Sequence, residues 1–402
     1  MAKIIIFTYD TQIDRRALLQ CKTLLAHGHE VTLYAMPLED PPVRDPVFVR
    51  RVEVPDMPFV LLVRKWLEKH CGLLFGYLLA PLRYMYWMLR RDPSRLYRGL
   101  YRRALQELRP ADLFIAHDLP MLPVAVEAKR RYGGKILYDS HELFPDQEWT
   151  AQESRMWHKL EKTYIGKADA VVTINPSIAR EMEGRYGLKR VEVIYNAEWV
   201  SDEAPERGRR FHDILSLPPE ARVVLYQGGL SFQRNLKGLV QAMVHVADPA
   251  IHLVFLGDGP ARGGLRNEIS RLGLQSRVHM LDAVPQEELL AYTASADLGV
   301  IPYQNTCLNN YYCTPNKLFE FIAAGLPIIA TDLPEIARII GEHQIGMVGD
   351  TGSPESIAQM VVNAMAPETL AQFRTHLLAA RKIINWQNEG ERFAAIVAAT
   401  LR

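Results

Sequence analysis

The chain has 402 residues, 48% of them hydrophobic and 23% charged, with a formal net charge of +1 at pH 7. That length suits two domains, each able to bury its own core, and the near-neutral balance gives no global case for nucleic-acid binding. The four cysteines, Cys21, Cys71, Cys307 and Cys313, lack C-x-x-C spacing and read as free cytosolic thiols.

In chain order, Lys3 to Phe7 reads as a buried strand. Its apolar run stops at Thr8-Tyr-Asp10, too soon for the core of an export signal, so a cytoplasmic protein is expected. Asp14 to Leu25 reads as a helix, with Asp14 suited to its N-cap and Gly28 to its end. Glu30 to Tyr34 is the next strand. Leu113 to Ala116 and Lys135 to Tyr138 are short apolar runs followed by polar chemistry: His117 and Asp118 after the first, Asp139, His141 and Glu142 after the second. Asp139 and Ser140 read equally well as caps of the following turn. Ala170–Ile174 and Val191–Ile194 complete the first half, and the charged stretch Ser201–Arg210 reads as a linker.

The alternation of strands and helices restarts at Val223–Gln227 and predicts an α/β fold with parallel sheets. The glycine turn Gly228-Gly229 leads to Arg234, at the start of a helix expected to end near Val246, with Lys237 one turn on. Gly257 and Gly259 mark a second tight turn, and Leu281 to Val284 follow a further strand. Leu298–Pro302 is apolar and strand-like. In the segment Thr314–Glu335, Thr314 suits an N-cap and Pro315 a first helical position, Lys317 and Glu320 share one face, and Gly325 and Pro327 end the helix. A helix N-terminus with a lysine beside it, after a parallel strand, favours phosphate. Trp386 and Phe393–Leu401 form an amphipathic C-terminal helix.

The stretch Phe59–Arg109 is an irregular insertion. Gly72–Leu89 is apolar but interrupted by Pro81 and Arg83, a poor membrane-spanning helix. Arg95, Arg98 and Arg102 share one face of the next helix, so residues 72–103 read either as a surface for anionic membrane or as core helices with a solvated basic face.

The segment P-N-K-L-F-E-F-I-A-A-G-L-P resembles the donor-site helix of retaining glycosyltransferases of the two-Rossmann (GT-B) type, family 4, the group 1 glycosyl transferases. Ala116-His-Asp-Leu-Pro120, Tyr138-Asp-Ser-His-Glu-Leu-Phe-Pro145, Ala168–Thr173, Val193-Ile-Tyr-Asn196, Leu225–Leu230 with Arg234, and Phe255–Pro260 follow in the family's order. The resemblance implies two Rossmann-like domains with parallel sheets facing a central cleft. Residues 1–200 are then the acceptor domain, joined by the returning helix 386–402, and residues 201–385 the nucleotide-sugar domain.

On this resemblance His117, Asp118 and Glu142 are catalytic, His117 falling on a histidine that contacts the donor sugar. Asp14, Arg15 and His141 lie toward the acceptor. Gly228, Gly229, Arg234, Lys237, Asn316, Lys317, Glu320, Leu281 and Val284 bind the donor, with Arg234 on a phosphate-binding lysine's position and Glu320 on the ribose. A carboxylate suits a vicinal diol because it accepts two hydrogen bonds. Two positions depart from the family: Gly229 replaces a second phosphate-binding arginine, and Tyr312 replaces the first of two glutamates. The implied reaction is transfer, with retention, from a UDP- or GDP-linked sugar to a lipid-linked or polysaccharide-precursor hydroxyl. The implied chemistry is front-face attack in which the leaving diphosphate helps deprotonate the acceptor. No D-x-D motif suggests a metal. Two alternatives fit the same shape, a nucleotide-sugar epimerase and a partner subunit that has lost catalysis.

Overall fold

The computed structural model describes residues 1–36, 45–52, 99, 101–201, 203 and 206–402. Cys71, the run Gly72–Leu89, Arg95 and Arg98 lie outside the described residues. The chain divides into two compact units: Met1–Ile174, Ile178–Ile194 and Gly390–Arg402 in the first, Asn175–Ser177 and Tyr195–Glu389 in the second.

Among the described residues, the first unit is built on seven parallel strands, β1 (Lys3–Phe7), β2 (Glu30–Ala35), β3 (Val49–Arg51), β4 (Leu113–His117), β5 (Lys135–Ser140), β6 (Ala170–Thr173) and β7 (Glu192–Val193), in the order β3-β2-β1-β4-β5-β6-β7. β-branched and aromatic residues dominate β1, and all of β4 is buried, as expected of a strand covered on both faces. The Arg15–Ala26 helix crosses from β1 to β2. It buries Arg16, Ala17, Gln20, Cys21 and Leu24, a stripe at three- and four-residue spacing. Asp14 caps it, its carboxylate accepting from the Arg16 amide at 2.7 Å.

The second unit has six parallel strands, β8 (Arg222–Gln227), β9 (Ile251–Leu256), β10 (Val278–Leu281), β11 (Leu298–Ile301), β12 (Ile328–Thr331) and β13 (Gly346–Gly349), in the order β10-β9-β8-β11-β12-β13. Side chains of a strand alternate between faces. Val224, Tyr226 and Phe255 pack on one side with Leu239, Val240 and Met243 of the Leu236–His245 helix. Val223, Leu225 and Val254 pack on the other with Leu318, Phe319 and Ile322 of the Asn316–Ala323 helix. Each fully buried side chain of this size stabilises by about 1.5–3 kcal/mol relative to exposure.

In both sheets the chain starts in the middle, works outward to one edge, then returns to fill the other. The order reverses between β1 and β4 in the first unit and between β8 and β11 in the second. In open α/β sheets, ligands bind outside the carboxyl ends of strands at this reversal. Among the described residues, no helix is long and apolar enough to cross a membrane.

Candidate functional site

Two side-chain clusters sit at these strand ends, one in each unit. In the second unit, β8 ends at Gln227 and the chain turns through Gly228, whose φ is +103°. The Lys317 amine lies where a side chain at Gly228 would point, 3.6 Å from the place of its Cβ. Lys317 is buried, and its Nζ has no hydrogen-bond partner among the described residues. It rests over the ring of Tyr226, 3.7 Å from the centroid, and 5.1 Å from that of Tyr303. Arg234 lies over the same Tyr303 ring at 3.9 Å. Aromatic faces attract cations but do not neutralise them. Burial lowers the Lys317 pKa from 10.5 to about 7, and the nearby Arg234 charge adds to that.

The segment holding Lys317 begins one residue later than its sequence suggests. Pro315 takes the N-cap position and the helix runs Asn316–Ala323, while Thr314 is buried before it. Proline has fixed φ and no N–H to place, so it closes the preceding turn as readily as it opens the helix. Asn316 is exposed and its Oδ1 accepts from Asn196 at 3.0 Å. Arg234 also differs from expectation. It ends a short 3-10 turn, Phe232–Arg234, and Asn235 in the left-handed region (φ +50°) separates it from the Leu236–His245 helix.

Glu320 is buried rather than on a solvated helix face. It accepts from Gln227 Nε2, and Gln227 Oε1 accepts from Thr293 at 2.8 Å. Lys237, in contrast, is exposed, with its amine 3.9 Å from Glu268. Gly229 is exposed and its carbonyl accepts from the Tyr226 hydroxyl at 2.9 Å. The Leu281 carbonyl receives the Gly257 amide at 3.1 Å, and Leu281 and Val284 are half-buried against the core. The structure thus brings Lys317, Arg234 and Gly228 around two tyrosines and does not bring Lys237 into their contacts. Tyr226 and Tyr303 escaped the sequence reading, because an aromatic at a strand end reads as core.

In the first unit, β4 ends at His117, and Asp118 follows with φ +60° and ψ 168°, a conformation that costs a non-glycine residue of order 1–3 kcal/mol. Hydrogen bonds over-determine it. The Asp118 amide donates to the Asp139 carbonyl at 2.9 Å, and the Asp118 carboxylate accepts from the His141 amide at 2.8 Å. His117 Nδ1 and His141 Nε2 lie 2.8 Å apart with the rings edge to face. Asp139 is not a turn cap. Its carboxylate is held by Arg16 Nε and Nη2 at 2.9 and 2.8 Å and by Gln20 Nε2 at 2.6 Å. The charge-assisted fork outweighs the cost of burying that carboxylate and, with His141, keeps its pKa well below the usual range.

Burial drives the His117 pKa down to about 3, against the pull of Asp139. Burial would do the same to His141, but Asp118 and Asp139 outweigh it and lift that pKa to about 10. Ligand atoms of His117, Asp139 and His141 lie within 4.8 Å of one another. Arg16 and Gln20 already hold the Asp139 oxygens and Arg16 adds positive charge, so no metal is assigned there. Glu142 is half-buried, its carboxylate accepting from Gln147. Arg15 is half-buried beside the buried Arg16. Arg16 and Gln20 were missed by sequence reasoning, although the i, i+4, i+8 spacing of Arg16, Gln20 and Leu24 places an arginine on the buried stripe, where it needs a carboxylate.

Two sequence families match the chain in succession, the glycosyl transferase 4-like domain over residues 13–197 and the glycosyl transferases group 1 over residues 221–366. An uncharacterised glycosyltransferase of Methanocaldococcus jannaschii is 25% identical over 215 residues, 52% of this chain and 54% of its own. TuaC of Bacillus subtilis, named as a teichuronic acid biosynthesis glycosyltransferase, is 25% identical over 188 residues, 46% of this chain and 43% of its own. The chain spans about half the length of these curated relatives. Sucrose-phosphate synthase from Thermosynechococcus elongatus shares the fold with a TM-score of 0.73 at 16% identity, covering 99% of both chains. HepE of Anabaena, solved in complex with UDP-glucose, does so at 0.71 and 15%, covering 99% of this chain and 100% of its own. The chain belongs to the group 1 glycosyl transferases and has their GT-B fold, two α/β units each built on a parallel sheet.

Proposed function

We propose that the protein is a retaining glycosyltransferase that moves a sugar from a nucleotide-sugar donor to an acceptor hydroxyl. The observation that carries this reading is the buried, unpartnered Lys317 amine sharing an aromatic wall with Arg234 at the reversal point of the second sheet. The buried Lys317 amine and the half-buried Arg234, which donates to Asn310 Oδ1 at 3.4 Å, lie near one another, and a diphosphate supplies several oxygens to both. When the sugar–phosphate bond breaks, negative charge grows on the departing diphosphate. Arg234, Lys317 and the first N–H groups of the Asn316–Ala323 helix stabilise it there, with no metal required. Glu320, steadied by Gln227, takes the ribose hydroxyls. Gly228 and Gly229 let the backbone approach the phosphates, and Leu281 and Val284 border the base. The donor is UDP- or GDP-linked, in keeping with the UDP-glucose complex of HepE.

In the first unit His117 acts at the reacting sugar with Asp118 and Glu142, while Asp14, Arg15 and His141 lie toward the acceptor. The acceptor is lipid-linked or a polysaccharide precursor. The teichuronic acid pathway in TuaC's name supports this, as does lipopolysaccharide biosynthesis for WaaG, a fold neighbour at TM-score 0.65 and 15% identity. The protein works at the cytoplasmic membrane face through residues 72–103, where three arginines contribute about 1 kcal/mol each near an anionic surface. Co-sedimentation with liposomes should require anionic lipid and fall as salt rises. Absence of binding at low salt would leave a soluble acceptor.

The donor assignment is tested by turnover of UDP- and GDP-sugars. Arg234→Ala should lower it by about two orders of magnitude, the loss of one charge-stabilising donor. Wild-type turnover in that variant contradicts the assignment.

A further inference from the structure

We infer that His141 is a positioning residue: held between the carboxylates of Asp118 and Asp139, it donates its Nε2–H to Nδ1 of His117 and fixes His117 in the tautomer that carries its proton on Nε2. The functional meaning rests on the proposed placing of His117 at the reacting sugar; the tautomer rests on geometry alone.

One of two imidazole nitrogens 2.8 Å apart must donate to the other. The surrounding charges decide which. From the β4 end, Asp118 Oδ2 lies 3.6 Å from His141 Nδ1, and from β5, Asp139 Oδ2 lies 3.6 Å from His141 Nε2. His117 has one such neighbour, Asp139 at 3.7 Å. The remaining charged groups that bear on the pair are Arg16 and Asp14 of the first helix, Asp10 of the loop after β1, and Glu142. Arg16 is spent on Asp139 by its two-pronged contact. Two carboxylates against one place the cation on His141, and the 1% exposure of His117 disfavours a charge there.

A charged imidazole donates from both nitrogens. His141 Nδ1–H faces Asp118, and its Nε2–H meets the lone pair of His117 Nδ1. A neutral imidazole that accepts at Nδ1 carries its hydrogen on Nε2. His117 Nε2 is buried and has no hydrogen-bond partner among the described residues. His117 therefore presents a fixed N–H donor with nothing to receive it, suited to a hydroxyl or ring oxygen of a bound sugar. The strained Asp118 backbone serves the same end, since it turns that carboxylate back onto His141.

The full chain labelled with 15N-histidine tests this without any ligand. At pH 7.5 the wild type should show His117 with a protonated Nε2 and a bare Nδ1, and His141 with both nitrogens protonated. Signals are assigned by their loss in His117→Gln and His141→Gln. His141→Gln keeps an N–H donor and should preserve the His117 tautomer, which is read from the spectrum and not from turnover. His141→Leu should let His117 move its proton to Nδ1, toward Asp139, and lower kcat about tenfold with donor KM little changed, the loss of about 1.4 kcal/mol of transition-state stabilisation. Should the leucine variant not fold, the wild-type spectrum still decides. A His117 protonated on Nδ1, or a neutral His141, overturns the inference. The expected tautomer together with unchanged turnover in His117→Ala upholds the hydrogen bond but overturns the placing of His117 at the sugar.

Discussion

Lys317 sets the sharpest expectation at the scale of single residues. Its pKa is depressed to about 7 by burial, with Arg234 adding to the effect. A bound diphosphate raises it again, so binding above pH 7 must take up a proton. Nucleoside diphosphate affinity should therefore be at its full value below about pH 7 and weaken as pH rises beyond it. Lys317→Arg, charged at every pH, should flatten that decline. Titration calorimetry at pH 6.5, 7.5 and 8.5 checks this, and an equal slope in both proteins contradicts it. In the ligand-free protein the sign reverses. The unfolded lysine keeps its proton to about pH 10.5, so stability gains as pH climbs from 7 toward that value. Lys317, Glu320, His117 and Asp118 were legible because each sits in a motif that ends a strand or opens a helix. Tyr303 and Arg16 were not, because their roles depend on which face of an element is buried and on partners far along the chain, Asp139 being 123 positions from Arg16.

Among the elements, the two glycine turns after β8 and β9 carry the proposed donor site as a unit. A Cβ on Gly257, whose φ is +150°, would sit 2.1 Å from the Gly228 carbonyl oxygen. Gly257→Ala must push the Gly228 turn aside, moving the wall beside Lys317. We expect a loss of about 2 kcal/mol or more of stability, seen as a Tm several degrees lower, and weaker diphosphate binding. Gly263, in the Arg262–Arg271 helix, has nothing within 4 Å of its Cβ position. Gly263→Ala should leave both unchanged or gain slightly in stability. Equal behaviour of the two variants would show that the turns are not coupled. Strands were the most legible elements: β1 spans the residues read from the sequence, because a fully apolar run bounded by polar residues has few other uses. Helix starts were less so. Asn235 takes a left-handed conformation that delays the helix after Arg234, and nothing in the local apolar spacing reveals it.

At the scale of the whole molecule, both sheets follow one plan, a reversal of strand order with the candidate chemistry at the strand ends beside it. The strand–helix alternation made the parallel α/β class legible. The strand order was not, since neighbours such as β1 and β4 or β8 and β11 are joined only by long-range pairing. The family match and the fold neighbours agree on the GT-B fold, and the unpartnered Lys317 amine beside Arg234 gives that fold its proposed use. The most direct measurement of that use is titration calorimetry of UDP and GDP into the wild type and Arg234→Ala at pH 7. The account predicts saturable one-to-one binding of at least one diphosphate, weakened tenfold or more in the variant, with the corresponding nucleoside binding far more weakly to both. Binding of neither diphosphate, or equal affinity in the two proteins, would contradict it.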